Sequence, residues 1–189
     1  ETENVEATRA GAATNLRRHV RNLTENSIPV IVSINRFAHD TEAEIEAIRD
    51  EAVKAGARQV VLNECHARGG EGALDLADAV VAACAAHDEA GRPYTPTVEQ
   101  GMTIEETILR VATNIYGAHT VDFSDTAQSA IETLKGWGVG SLPVCMAKTQ
   151  YSFSHEPKVL GAPSGFTLPI REIRVNARSE EHTSELQSL

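Results

Sequence analysis

Two short β-branched runs with one amphipathic helix between them restrict this chain more than any other feature. Pro29-Val-Ile-Val-Ser-Ile-Asn35 and Gln59-Val-Val-Leu62 are apolar and bounded by turn residues. That is the pattern of strands buried on both faces of a parallel sheet. Between them Asp40 and Thr41 open a helix. Thr41 and Glu44 stand at capping-box spacing, the hydroxyl accepting from a free backbone N–H and the carboxylate reaching back. Ile45, Ile48, Ala52 and Val53 give this helix an apolar face, and Gly56 ends it. Strand, helix and strand over this length make a βαβ unit, whose crossover is almost always right-handed. Ligands in such sheets sit beyond the carboxyl ends of the strands, which places residues 35–40 and 63–72 on one rim.

The rest of the chain extends this α/β pattern. Residues 4–26 carry Leu16, Val20 and Leu23 at helical spacing. A helix is expected over 73–87, with Leu74, Leu76, Ala77, Val80, Val81 and Cys84 apolar. The turn-rich stretch 91–96 reads as a linker. A further helix is expected over 103–116, opened by a Thr103–Glu106 capping box. An extended segment at 121–123 and a helix from Ser124 to about 134 follow, then strands over 142–148 and 166–175. The expected fold class is therefore α/β: a parallel βαβ sheet core over 1–90 and a second α/β lobe over 91–177.

The 189 residues are 41% hydrophobic and 23% charged, as in a globular α/β protein. A formal charge of −10 argues against a general nucleic-acid binder, which needs a basic surface, though a local cluster can still hold a small anion. No run approaches the roughly 20 apolar residues of a membrane span, so no membrane partner is expected. The chain opens on Glu1 rather than Met, with no leader-like apolar run, and a truncated start is expected. Cys65, Cys84 and Cys145 are scattered and lack zinc-site spacing, which points to buried thiols in a reducing compartment. The seven histidines show no metal-ligand spacing either, and no metal ligand is assigned. Residues 178–189, RSEEHTSELQSL, have no apolar periodicity and resemble the frame translation of a sequencing-library adapter. They are expected to be an artefactual disordered tail and are set aside from fold reasoning.

Three constellations could carry chemistry. Asn35-Arg36-Phe37-Ala38-His39-Asp40-Thr41 ends a strand, where an aromatic and an arginine can stack on a flat ligand or hold an anion. The same residues are equally accounted for if Asp40 and Thr41 only cap the next helix and Phe37 packs inward. His66-Ala-Arg68-Gly69-Gly70-Glu71-Gly72 precedes a helix, where backbone N–H groups can turn toward an anion. It is not a Walker sequence, and a flexible turn explains it as well. Lys148-Thr149-Gln150-Tyr151, with Gly161-Ala-Pro163-Ser-Gly165-Phe166 downstream, puts a lysine at a strand end, a position that is usually only solvated. Taken alone, these residues support a small-molecule site and leave the catalytic residues unknown.

The stretches PVIVSINRFAHDTEAEI, ARGGEGALDLA, ATNIYGAHTVDF and LPVCMAKTQYSFSHEPKVLGAPSGF resemble formate–tetrahydrofolate ligase, across nearly all of residues 1–177. The resemblance implies a P-loop NTPase-like fold, present here in part. It also implies a reaction in which ATP phosphorylates formate and tetrahydrofolate N10 attacks the formyl phosphate. Mg²⁺, a monovalent cation such as K⁺, a cytoplasmic location and a homotetrameric parent come with it. Carried over residue by residue, Phe37 falls where the family sets an aromatic against the folate ring, and Leu62 where it sets an apolar folate contact. His66 stands where the family typically has Trp, and imidazole offers less stacking area. Gly161, Ala162 and Pro163 are expected near the nucleotide. The family's Gly-rich phosphate loop with Lys followed by Thr is expected upstream of this sequence. The chain alone is therefore expected to be inactive. A non-catalytic folate- or nucleotide-binding module is the alternative.

Overall fold

The computed structural model describes residues 3–147 and 153–176. The described residues fall into two compact units, one up to Pro96 and one from Thr97 onward. The Lys148–Tyr151 motif and the 178–189 tail lie outside the described residues.

The first unit opens with α1 (Val5–Gly11), capped by the Asn4 side chain accepting from the Ala7 N–H. It passes through a π-helical turn over Ala12–Leu16 into α2 (Arg17–Thr24). The sequence suggested one regular helix here, and the wider turn interrupts its register. Then come β1 (Ile31–Asn35), α3 (Glu42–Ala55) and β2 (Gln59–Asn63). The two strands pair in parallel, Ile31 opposite Gln59 through Asn35 opposite Asn63. Thr41 and Glu44 form the full capping box, worth about 1 kcal/mol to α3. Gly56 closes α3 at φ 104°, a left-handed conformation that a side chain would strain.

Val20, Val30, Ile34, Ile45, Ala52, Ala55 and Val60 form the core between α2, α3 and one sheet face, with Leu16, Val32, Ile48 and Leu62 packed against it. Strand alternation sends Val61 to the other face, where it is buried and where α5 (Leu74–Glu89) packs over β2. Beyond β2, a short α4 (Cys65–Arg68) and a 3₁₀ turn over Gly69–Ala73 lead into α5. The 91–96 stretch stays with this unit, because the Thr95 N–H donates to the Asn26 carbonyl at 3.1 Å.

Several burial expectations are corrected. Ser33 and Asn35 are exposed, so β1 is covered fully on one face only. Val53 is 58% exposed, and α3 buries Ala47, Glu51 and Ala55 instead. On α5 only the small Ala79 and Ala83 are fully buried, while Leu74, Val80 and Val81 stay exposed. All three cysteines are free and exposed rather than buried.

The second unit contains α6 (Ile104–Val111), a π-helical turn over Ala112–Tyr116, β3 (Thr120–Phe123), α7 (Asp125–Gly136) and β4 (Thr167–Ile170). The Thr103–Glu106 capping box forms as expected. β3 and β4 pair in parallel, with Val121 opposite Leu168. Ile104, Ile108, Ile131 and Leu134 make its core, to which Val144, Met146 and Ile170 add. Residues 142–147, expected as strand, form no ladder, yet Val144 and Met146 pack inward. The apolar run there reflects burial rather than strand pairing. Among the described residues no helix is long and apolar enough to cross a membrane.

Candidate functional site

The carboxyl ends of β1 and β2 are joined side chain to side chain. Asn35 and Asn63 sit opposite each other in register, and Asn63 Nδ2 donates to Asn35 Oδ1 at 3.1 Å. The ladder runs one step further, the Arg36 N–H donating to the Asn63 carbonyl at 3.0 Å. Past it, the chain closes a turn in which Asp40 Oδ2 accepts from the Phe37 N–H at 2.8 Å, and the Asp40 N–H donates back to the Phe37 carbonyl. That turn holds Phe37 out at the rim, 51% exposed. Asp40 therefore shapes the loop and Thr41 caps the helix, yet Phe37 does not pack inward.

Across the rim, the Cys65 N–H donates to Asn63 Oδ1 at 3.1 Å, which starts α4 and lifts His66 toward Phe37. The two rings meet with centroids 5.3 Å apart and planes tilted by 56°. Gly72 makes the return of the His66 loop possible. A Cβ there would lie 2.5 Å from the Glu64 carbonyl carbon, and the Glu64 N–H donates to the Gly72 carbonyl. Charge ties the two loops further: Arg36 pairs with Glu42 and approaches Glu64 at 3.9 Å, and Arg68 pairs with Glu64 at 3.0 Å.

These residues enclose a cleft of about 250 Å³ lined by Asn35, Arg36, Phe37, Asn63, Cys65 and His66. A second hollow, about 450 Å³, is lined by Asn35, His39, Asp40, Glu44, Ile45 and Ile48 among others. The Glu44 carboxyl facing it is held below its ordinary range, chiefly by the Asn4 N–H and then by the Thr41 N–H.

Of the residues picked from sequence, Phe37 and His66 come together across the cleft. Leu62 does not line it: half-buried, it packs on the core of the first unit. Gly161, Ala162 and Pro163 are half-buried in the second unit and line neither hollow. Gly161 there takes φ 77°. Nearby in that unit, the Gly165 N–H donates to the Gly117 carbonyl, and Phe153 packs edge-on to Tyr116, whose phenol is pushed up by burial. Asn63 and Cys65 were placed on the rim by topology but given no role of their own in the sequence. Their only signal was position, at the carboxyl end of the second strand.

A parallel βαβ unit with a cleft between Phe37 and His66 at its strand tips defines an α/β protein whose rim lies where ligands of such sheets sit. The formate–tetrahydrofolate ligase family model matches residues 1–180, and the chain belongs to that family. It is 49% identical to a formate–tetrahydrofolate ligase of Paracoccus denitrificans over 93% of this chain and 30% of that protein. The ligase of Symbiobacterium thermophilum is 46% identical over 93% and 31%. The cytoplasmic C-1-tetrahydrofolate synthase of Schizosaccharomyces pombe is 42% identical over 93% and 18%. The chain thus spans about 30% of the length of the ligases it matches.

Proposed function

We propose that this chain is the folate-holding portion of an enzyme that forms 10-formyltetrahydrofolate from formate, ATP and tetrahydrofolate through formyl phosphate. The observation that carries the reading is the pair of exposed rings, Phe37 and His66, facing each other over a cleft with an amide floor. A flat pteridine can stack on such walls while its polar edge meets the floor. The rings now touch, and a ligand between two stacked faces needs them about 7 Å apart. Binding is therefore read as an opening of the His66 loop. The glycines beside it favour this, since nothing packs within 4 Å of the Cα substituent position of Gly69 or Gly70.

Leu62 is assigned a supporting role beneath the cleft, and Gly161 to Pro163 a place near the nucleotide. A P-loop NTPase-like fold, a homotetrameric parent and a cytoplasmic location, as named for the S. pombe relative, complete the reading. Small molecules rather than nucleic acid or membrane are the partners it implies. Among the described residues no group of three or more His, Cys, Asp or Glu is placed to hold a metal ion. The donor set of the described residues does not fit Mg²⁺, and Mg²⁺ and a monovalent cation such as K⁺ are assigned to the rest of the enzyme. What these residues can do is hold the folate ring and shelter its amine from water.

Titration of the purified chain with tetrahydrofolate tests this. Phe37→Ala is expected to weaken binding about tenfold, and His66→Trp to strengthen it. Negligible affinity in all three proteins would sink the folate assignment.

A further inference from the structure

Asn35 lines both hollows at the strand tips, and its neighbours fix which way its amide points. A backbone N–H can only donate, so the Asn63 atom that Cys65 N meets at 3.1 Å is the carbonyl oxygen. The amide nitrogen of Asn63 then faces Asn35 and must find an acceptor, which is Asn35 Oδ1 at 3.1 Å. One main-chain donor thus sets the orientation of both carboxamides. Asn35 Oδ1 is committed to Asn63, and Asn35 Nδ2 keeps its N–H groups without a hydrogen-bond partner among the described residues.

Among the described residues no nearby carboxylate accepts from that nitrogen. Asp40 accepts from the Phe37 N–H, Glu42 pairs with Arg36, and Glu64 pairs with Arg68. Arg36 also lines the cleft, and the Asn35 amide nitrogen is the donor there whose orientation the surrounding hydrogen bonds fix. A donor aimed at the ring edge favours a heterocycle with a carbonyl at that place, and leaves an amino group standing there unpaired.

We propose that Asn35 is a specificity-determining residue, donating from Nδ2 to the edge carbonyl of a 2-amino-4-oxo pteridine and selecting it over a 2,4-diamino ring. This rests on the folate reading above and adds the group that recognises the ring edge. Preorganisation by Asn63 means that little amide rotation is lost on binding.

The test uses the full chain and two ring-only probes, a 2-amino-4-oxo tetrahydropteridine and its 2,4-diamino counterpart. The unsubstituted chain is expected to favour the 4-oxo ring by about tenfold, one good hydrogen bond gained against one unpaired group. Asn35→Asp keeps an oxygen for Asn63 and replaces the donor with an acceptor, so the preference is expected to invert. Asn35→Ala is expected to abolish the preference, and it serves if the aspartate variant fails to fold by circular dichroism. A 4-oxo preference that survives both substitutions overturns the role of Asn35 and leaves the folate reading standing. No binding of either probe by the unsubstituted chain overturns the folate reading and this inference together.

Discussion

Gly72 shows how one residue type at one position sets the geometry of the cleft. Its backbone lies against Glu64 so closely that a methyl group would sit 2.5 Å from a carbonyl carbon and 2.6 Å from its oxygen. Neither atom can swing away as a side-chain tip could, so Gly72→Ala must move the backbone of the His66 loop. The expected cost is about 1–3 kcal/mol, read from the urea midpoint of the chain. Folate affinity should fall with it, since the displaced loop carries His66. Unaltered stability and affinity would mean that the close approach is not required. Phe37 is the opposite case, because its exposure means that truncation should cost binding and leave stability nearly untouched.

Glu51 plays its part through the elements it connects. It sits on α3, 3% exposed, and meets Lys54 of the same helix, Arg17 of α2 and Arg9 of α1. The Lys54 ammonium, then the two guanidinia, hold its carboxyl at about 2 against the opposing pull of burial, from an ordinary 4.5. The unfolded chain therefore takes up a proton between those values that the folded chain does not. Stability from this charge is complete above about 4.5 and is lost as pH falls toward about 2. Denaturant midpoints measured from neutral pH downward should drop through that window. Glu51→Gln should be less stable at neutral pH and show a shallower drop. Glu44, also held low, should leave a residual slope. An identical acid profile in the variant would remove Glu51 as the link between α1, α2 and α3. None of this was legible in the sequence, where Glu51 is one acidic residue among many on a solvated-looking helix.

For the molecule as a whole, the 189 residues contain no Gly-x-x-x-x-Gly-Lys-Ser/Thr run of the kind that grips ATP phosphates, and Lys148-Thr149 follows no such glycine loop. Assayed by itself with formate, tetrahydrofolate and ATP, the chain is expected to release no ADP above background. Turnover near that of a full-length ligase would show that the phosphates are gripped by residues other than those argued here. What sequence alone determined were the features written into adjacent residues. Capping boxes at Thr41 and Thr103, the helix stop at Gly56 and the two parallel strand runs depend on neighbours a few positions away, and periodicity reports them. Burial and pairing depend on partners distant along the chain, and there periodicity failed. Val81 and Cys84 read as core and are exposed, and residues 142–147 read as strand and pair with nothing in a ladder. The cleft belongs to this second kind. The rim could be inferred from topology, but only the tertiary fold could set Phe37 5.3 Å from His66, turn Leu62 into the core and aim the Asn35 amide, because each is fixed by contacts between residues nearly thirty positions apart.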